Sequence, residues 1–204
     1  MQIQNLYPGS FGANCYLLTA NGHAAIVDPS ANATVVTNAL RESGAVLDYI
    51  LLTHGHFDHM TGMDDLRALH TAPVCLHEGD ADMPSDAFKN AFYTFFHTER
   101  TYLPPDRLLK NDERLDLGGE EIRVLHTPGH TRGSVCFLCN QTLLLTGDTL
   151  FSGGTYGRYD LYGGDAETLF ASLRSLCALD GSLRIYPGHG EPDRLSSSLD
   201  CIFS

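Results

Sequence analysis

The stretch that decides the fold is Thr53-His54-Gly55-His56-Phe57-Asp58-His59, which follows directly on the apolar run Tyr49-Ile50-Leu51-Leu52. It places three imidazoles and one carboxylate within seven residues. A hydrophobic core has no need for such a density of ligands, whereas zinc, iron and manganese bind imidazole nitrogen and carboxylate oxygen. The stretch therefore predicts a metal-dependent hydrolase or oxygenase.

The composition of the whole chain bounds its class. With 204 residues, 43% of them hydrophobic and 19% charged, residues 1–204 are expected to form one globular domain with a sizeable core. The formal charge of −12 argues against a nucleic-acid partner. No basic segment with a long apolar run follows Met1, and no apolar run is long enough to span a bilayer. We therefore expect a cytoplasmic protein with a small-molecule substrate and no membrane partner.

The six cysteines are expected to be reduced. They are spread along a chain that shows no secretion signal, which disfavours a disulfide framework. Cys136 and Cys139 form a CxxC pair, but this pair lies in a strand-like run without a second pair. We interpret both as core thiols.

Apolar periodicity predicts an alternation of strands and helices. Strands are expected over residues 3–6, 15–19, 24–28, 48–53, 73–77 and 183–186, and the region 114–145 is rich in them. Helices are expected over residues 34–43, 61–69, 85–100 and 165–179, the second opening on a capping box at Thr61-Gly62-Met63-Asp64. The five aromatic residues of segment 85–100 suggest core packing or a lid, with substrate contact as the alternative.

Four further positions extend the pattern that begins at His54. His130, Asp148 and His189 each follow a strand-like apolar run and adjoin a glycine, and Asp28 ends the strand Ala25-Ile26-Val27. Polar residues at strand ends next to glycine are a common way to build a site on a rigid sheet. These positions are therefore expected to converge on the histidine stretch.

Together these residues resemble the five motifs of the metallo-β-lactamase superfamily, in order and over nearly the whole chain. The motifs are Asp28, the stretch His54-x-His56-x-Asp58-His59, His130, Asp148 and His189. The resemblance implies an α+β fold, a four-layer αββα sandwich in which two sheets pack face to face with helices outside.

The resemblance also implies a site for two divalent metal ions that share one bridging carboxylate. One metal would be held by His54, His56 and His130, the second by Asp58, His59 and His189, and Asp148 would bridge them. Asp28 would fix the loop that carries the histidines, and Asp58 would also orient the attacking hydroxide.

The charges of this site suit hydrolysis. The positive charge of two divalent cations exceeds the negative charge of the Asp58 and Asp148 carboxylates. The site would therefore stay positive, ionise a bound water and attract an anionic substrate. Zinc is the metal expected first, with iron and manganese as alternatives.

Within the superfamily, the chain looks most like the glyoxalase II group, which hydrolyses glutathione thioesters. The segments that carry this likeness are residues 147–151 and 157–160. Arg158 is a candidate substrate contact, and pairing with Asp160 is the alternative.

The most common β-lactamases of this fold carry a cysteine where Asp148 stands, so we set β-lactam hydrolysis aside. The sequence ends fifteen residues after His189, so we expect no C-terminal helical domain and a likeness to the short, single-domain glyoxalase II-like proteins.

Several alternatives stay open at this point. A mononuclear-iron persulfide dioxygenase would use only His54, His130 and Asp148, and a hydrolase of another ester, lactone or phosphodiester would use the whole set. A metal-stabilised binding module is a non-enzymatic alternative. His77 and His126 lie near apparent strand ends and are left out of the ligand set.

Overall fold

Two six-stranded sheets form the centre of the fold in a computed structural model, which describes residues 1–6 and 12–203. The N-terminal half supplies the first sheet, whose strands lie in chain order: β1 (Gln2–Asn5), β2 (Tyr16–Ala20), β3 (His23–Val27), β4 (Val46–Leu51), β5 (Val74–His77) and β6 (Arg107–Leu109). The C-terminal half supplies the second, also in chain order: β7 (Arg114–Leu117), β8 (Glu120–His126), β9 (Val135–Cys139), β10 (Leu143–Gly147), β11 (Arg184–Pro187) and β12 (Asp193–Arg194).

Three hydrophobic cores separate four layers. The first core joins one face of the first sheet to helices α1 (Ala33–Ser43) and α2 (Met63–Leu69). The second core lies between the sheets, and the third joins the second sheet to helices α4 (Ala166–Leu176) and α5 (Leu195–Phe203). The expected αββα sandwich is thereby confirmed. In the ranges described, no helix has the length and apolar character needed to cross a membrane.

The sequences of the central strands are continuous apolar runs because both faces of these strands are buried. In β3, Ala24 and Ile26 face the helices while Ala25 and Val27 face the other sheet. Strands β3 and β4 pair in parallel and therefore end at the same edge. This edge receives Asp28 from β3 and the histidine stretch from β4.

Local caps explain where α1 begins and ends. The Asn32 side chain accepts a hydrogen bond from Thr34 N, and Gly44 takes the left-handed conformation at the C-terminus of α1. The capping box predicted at Thr61 is wrong. The Thr61 hydroxyl donates to Ser30 O at 2.7 Å, and α2 begins two residues later without a side-chain cap.

The helix predicted over residues 85–100 is also wrong, because only α3 (Phe92–Phe96) is helical there. The side chain of Asp86 accepts from Phe88 N and Lys89 N, and that of Asn90 accepts from Phe92 N. Such local side-chain-to-backbone bonds compete with the helical ones. Nor do the aromatic rings of this segment form core, since Phe95 and Phe96 each stay 50% exposed.

The cysteines lie where reduced core thiols are expected. Cys136 packs toward the helices α4 and α5 while Cys139 packs between the sheets, so their side chains lie on opposite faces of β9. Burial raises the pKa of Cys136 to about 11 and that of Cys139 to about 12. The other buried thiols are Cys15 and Cys75, and the exposed ones are Cys177 and Cys201.

Thiol titration checks this arrangement. We expect an aromatic disulfide reagent to modify the two exposed thiols, Cys177 and Cys201, in the native protein, and all six after denaturation without reductant. Fewer than six thiols in the denatured protein would reveal a disulfide and contradict the reduced state.

Candidate metal centre

The strand ends of both sheets bring all seven predicted ligand residues to one place. The histidine stretch follows β4, and a 3-10 turn over Phe57–His59 presents its last two ligands. The second sheet contributes the remaining ligands from the loops after β8, β10 and β11, namely His130, Asp148 and His189. Residues 135 positions apart in the chain, from His54 to His189, thus line one site.

Three histidines form the first ligand group. His56 Nδ1 lies 3.0 Å from His54 Nε2 and 2.9 Å from His130 Nε2, and the latter two nitrogens are 3.2 Å apart. Three nitrogens that face one another at these distances fit one shared cation.

The second ligand group lies beside the first. Asp58 Oδ2 is 3.2 Å from His189 Nε2 and 3.9 Å from His59 Nε2. The carboxylate of Asp148 lies between the groups: its Oδ1 is 3.3 Å from His59 Nε2, and its Oδ2 is 3.6 Å from both His130 Nε2 and His189 Nε2. Asp148 is therefore positioned where a bridging ligand is expected.

Outer hydrogen bonds determine which ring nitrogen of each histidine carries the proton. His130 Nδ1 donates to the backbone oxygen of Arg158 at 2.6 Å, and His59 Nδ1 donates to Asp28 Oδ2 at 2.9 Å. His54 Nδ1 donates to Thr53 Oγ1 at 3.1 Å, because the Thr53 hydroxyl gives its own proton to Asp28. In the neutral tautomer, each of these rings then turns the lone pair of its Nε2 toward the centre of the site.

Burial and charge make this set of atoms suitable for cations. Burial, followed by repulsion among the clustered imidazoles, lowers the pKa of His54 well below its ordinary value, and burial lowers that of His56 to about 3. These rings are neutral at pH 7 and offer lone pairs. His59 Nε2 and Asp148 Oδ1 are buried and have no hydrogen-bond partner among the residues that the structure describes. The donor set is therefore compatible with two divalent cations.

Asp28 holds the histidine stretch to the end of β3. Its carboxylate accepts from Thr53 N and Thr53 Oγ1, both at 2.8 Å, in addition to His59. Its backbone has a φ of 51°, in the left-handed region that aspartate tolerates better than most residues. The geometry agrees with the positioning role that the resemblance implies.

Close approach at the centre requires a glycine at position 188. A Cβ added there would lie 2.2 Å from Asp148 Oδ1 and 2.7 Å from His59 Cε1. The glycine before His189 thus leaves room for two other ligands.

Sequence reasoning missed Asp80, which links the two loops that carry the first ligand group. Its Oδ2 accepts from Gly55 N at 3.0 Å and from Thr131 Oγ1 at 2.7 Å, and its Oδ1 accepts from Gly133 N at 2.6 Å. Gly55 lies between two ligands, and Thr131 follows a third. The signal was the same as for the ligands, an acidic residue just after a strand end, next to a glycine.

Three other candidate residues lie outside the two ligand groups. The guanidinium of Arg158 forms two hydrogen bonds with Asp160, at 2.7 and 2.8 Å, which agrees with the alternative that these two residues pair. A contact between Arg158 and the substrate stays a prediction. His77 and His126 stack on each other with ring centroids 4.1 Å apart and belong to none of the ligand groups found in the described ranges.

Fold and site together define a class: four-layer αββα proteins with a histidine and aspartate metal centre where the two sheets meet. Residues 8–189 match the model of the Metallo-beta-lactamase superfamily. The chain belongs to this superfamily, whose members include metallo-hydrolases.

Two relatives are similar to this chain over most of its length. The chain is 35% identical over 192 residues to "Probable metallo-hydrolase YqgX" of Bacillus subtilis, which covers 93% of this chain and 90% of the relative. It is 36% identical over 175 residues to a "Hydroxyacylglutathione hydrolase" of Acidiphilium cryptum, over 85% of this chain and 63% of that protein.

Two solved structures share the fold at comparable identity. The crystal structure of the BLEG-1 B3 metallo-beta-lactamase superposes with a TM-score of 0.89 at 32% identity, over 98% of this chain and 97% of the other. The structure of TTHA1623 in a di-iron-bound form gives a TM-score of 0.81 at 33% identity, over 97% and 96% of the two chains.

Proposed function

We propose that the protein hydrolyses acyl thioesters with the help of two divalent metal ions, zinc being the metal expected first. One observation carries the proposal: the group of Asp58, His59 and His189 stands beside the group of His54, His56 and His130. Chemistry at a single metal would need only one of these groups.

Different residues of the site would have different roles in the reaction. Divalent cations bound here would lower the pKa of a water molecule and polarise the acyl carbonyl. The carboxylate of Asp58 would orient the attacking water, and Asp28 keeps His59 in place. Water adds to the acyl carbon and the carbon–sulfur bond breaks. The acyl group leaves as a carboxylate, and the sulfur takes a proton as the thiol.

The relatives and the segments at residues 147–151 and 157–160 support a thioester as the substrate. A hydroxyacylglutathione hydrolase is among the relatives, at 36% identity, which supports a thioester. Glutathione is one candidate thiol carrier, and an anionic substrate suits a positive site. A cytoplasmic location and the lack of nucleic-acid and membrane partners stay predictions.

Two other functions are distinguishable from this one. A mononuclear-iron persulfide dioxygenase leaves the second ligand group without a role. β-Lactam hydrolysis returns as a second candidate because a B3 metallo-beta-lactamase shares the fold with a TM-score of 0.89 at 32% identity.

A turnover panel tests the proposal. The protein is loaded separately with zinc, iron or manganese and offered S-lactoylglutathione, other acyl thioesters, lactones, phosphodiesters and a chromogenic cephalosporin. We expect thiol release from thioesters, two metals per chain and no oxygen uptake. Oxygen uptake on glutathione persulfide with one iron per chain would contradict the proposal, as would hydrolysis of the cephalosporin alone.

A further inference from the structure

A cavity of about 600 Å³ opens onto the metal centre, and aromatic rings line one side of it. We name this side the aromatic wall; it consists of Phe57, Phe95 and Phe96. Phe95 and Phe96 each stay 50% exposed. Large rings that remain exposed inside a cavity offer apolar surface to a ligand.

The aromatic wall begins at the metal centre itself. Phe57 directly precedes Asp58, and its ring centroid lies 5.8 Å from that of Phe95 and 5.5 Å from that of Phe96. Phe151 approaches from the other side, with its ring centroid 6.0 Å from that of His189. A group attached to a carbonyl at the metal centre would therefore contact the rings at once.

The charges around the cavity do not favour a polar ligand at this wall. Arg158 is the one lysine or arginine among the described residues that line it, and Asp160 accepts hydrogen bonds from its Nε and Nη2 atoms. The same guanidinium lies over the Phe95 ring, 5.6 Å from its centroid. Because the charge of Arg158 is paired with that of Asp160, a charged thiol carrier finds no unpaired lysine or arginine among these residues and is better placed toward solvent.

We infer that the substrates are thioesters with an extended apolar acyl group, which packs against the aromatic wall while the thiol carrier extends to solvent. This inference rests on the proposed function. Each methylene buried against the rings strengthens binding by about fourfold, as expected from the transfer of hydrocarbon out of water.

The test uses one thiol carrier and varies the acyl group. The metal-loaded protein is assayed with acetyl, butyryl, hexanoyl and octanoyl thioesters of N-acetylcysteamine, and thiol release is followed. We expect kcat/KM to rise by about fourfold per methylene until the cavity is filled. Binding of the matching S-alkyl thioethers, which cannot be hydrolysed, is measured by calorimetry and should follow the same order.

Two variants and a control locate the effect. F95A and F96A are expected to flatten the dependence of kcat/KM on chain length, with the largest loss for the octanoyl thioester, because the apolar contacts of the distal methylenes are lost. F88A is the matched control, because Phe88 is 62% exposed on the same segment but does not line the cavity. Its chain-length dependence should equal that of the unaltered protein.

The outcomes separate this inference from the proposed function. If all thioesters are hydrolysed at similar rates, or if F88A acts like F95A, the inference is overturned and thioester hydrolysis stands. If kcat/KM falls as the acyl chain lengthens, the orientation is overturned. If no thioester is hydrolysed, the proposed function and this inference fail together.

Discussion

The D58A variant is expected to lower kcat/KM for thioesters by at least about a hundredfold, more than is usual for residues that only support metal ligands. Asp58 is the carboxylate of the second ligand group, 3.2 Å from His189 Nε2. Without it, two neutral imidazoles and the shared Asp148 remain for the second cation, so the metal content should fall from two per chain toward one. Steady-state kinetics and elemental analysis measure the two effects.

The matched control for D58A is D65A. Asp65 is exposed near the start of α2, seven residues further along the chain, and is no member of a ligand group. We expect its activity and metal content to match those of the unaltered protein. Full activity of D58A would refute the dinuclear mechanism, and oxygen uptake by D58A with one iron would favour the dioxygenase.

Removal of the Asp80 carboxylate is expected to have the second large effect. D80A leaves the donors Gly55 N, Gly133 N and Thr131 Oγ1 without their common acceptor in a buried place. Unsatisfied buried donors cost on the order of 1–3 kcal/mol each, so we expect the free energy of unfolding to fall by about 3 kcal/mol. Because these donors flank His54, His56 and His130, metal affinity should fall too.

Urea unfolding in the presence of a chelator measures the stability of D80A apart from any bound metal. D80N keeps the shape but turns an amide N–H toward backbone donors, so it should lie between D80A and the unaltered protein. D82A is the control, because Asp82 pairs with Lys89 on the surface and should change stability by less than about 0.5 kcal/mol. An unfolding free energy of D80A equal to that of D82A would remove Asp80 from this role.

The metal ligands could be predicted from the sequence because each one follows a strand end, and five of the seven adjoin a glycine. This local arrangement survives in the fold, where parallel pairing of β3 and β4 carries Asp28 and His54 to one edge. Asp80 shows the same local pattern, yet its importance depends on Gly133, fifty-three residues away. The sequence alone cannot identify such a distant partner, because the contact exists only once the second sheet has packed on the first.

The failures have similar physical causes. The spacing of the aromatic residues in segment 85–100 suggests a helix. The side chains of Asp86 and Asn90, however, accept hydrogen bonds from backbone N–H groups two residues further along, and these bonds interrupt the helix. The Thr61 hydroxyl finds a tertiary partner in Ser30 in place of a capping position. Helix α5 is nine residues long, too short for the spacing of Leu195 and Leu199 to stand out from the sequence.

The division of the ligands between the two halves of the chain has a thermodynamic consequence. Each ligand group combines residues before Leu109 with residues after Arg114, as in His54 and His130. An ion bound by such a group would act as a cross-link between the sheets, and its binding free energy would be shared with their docking. Metal supply would then regulate the lifetime of the folded protein as well as its activity.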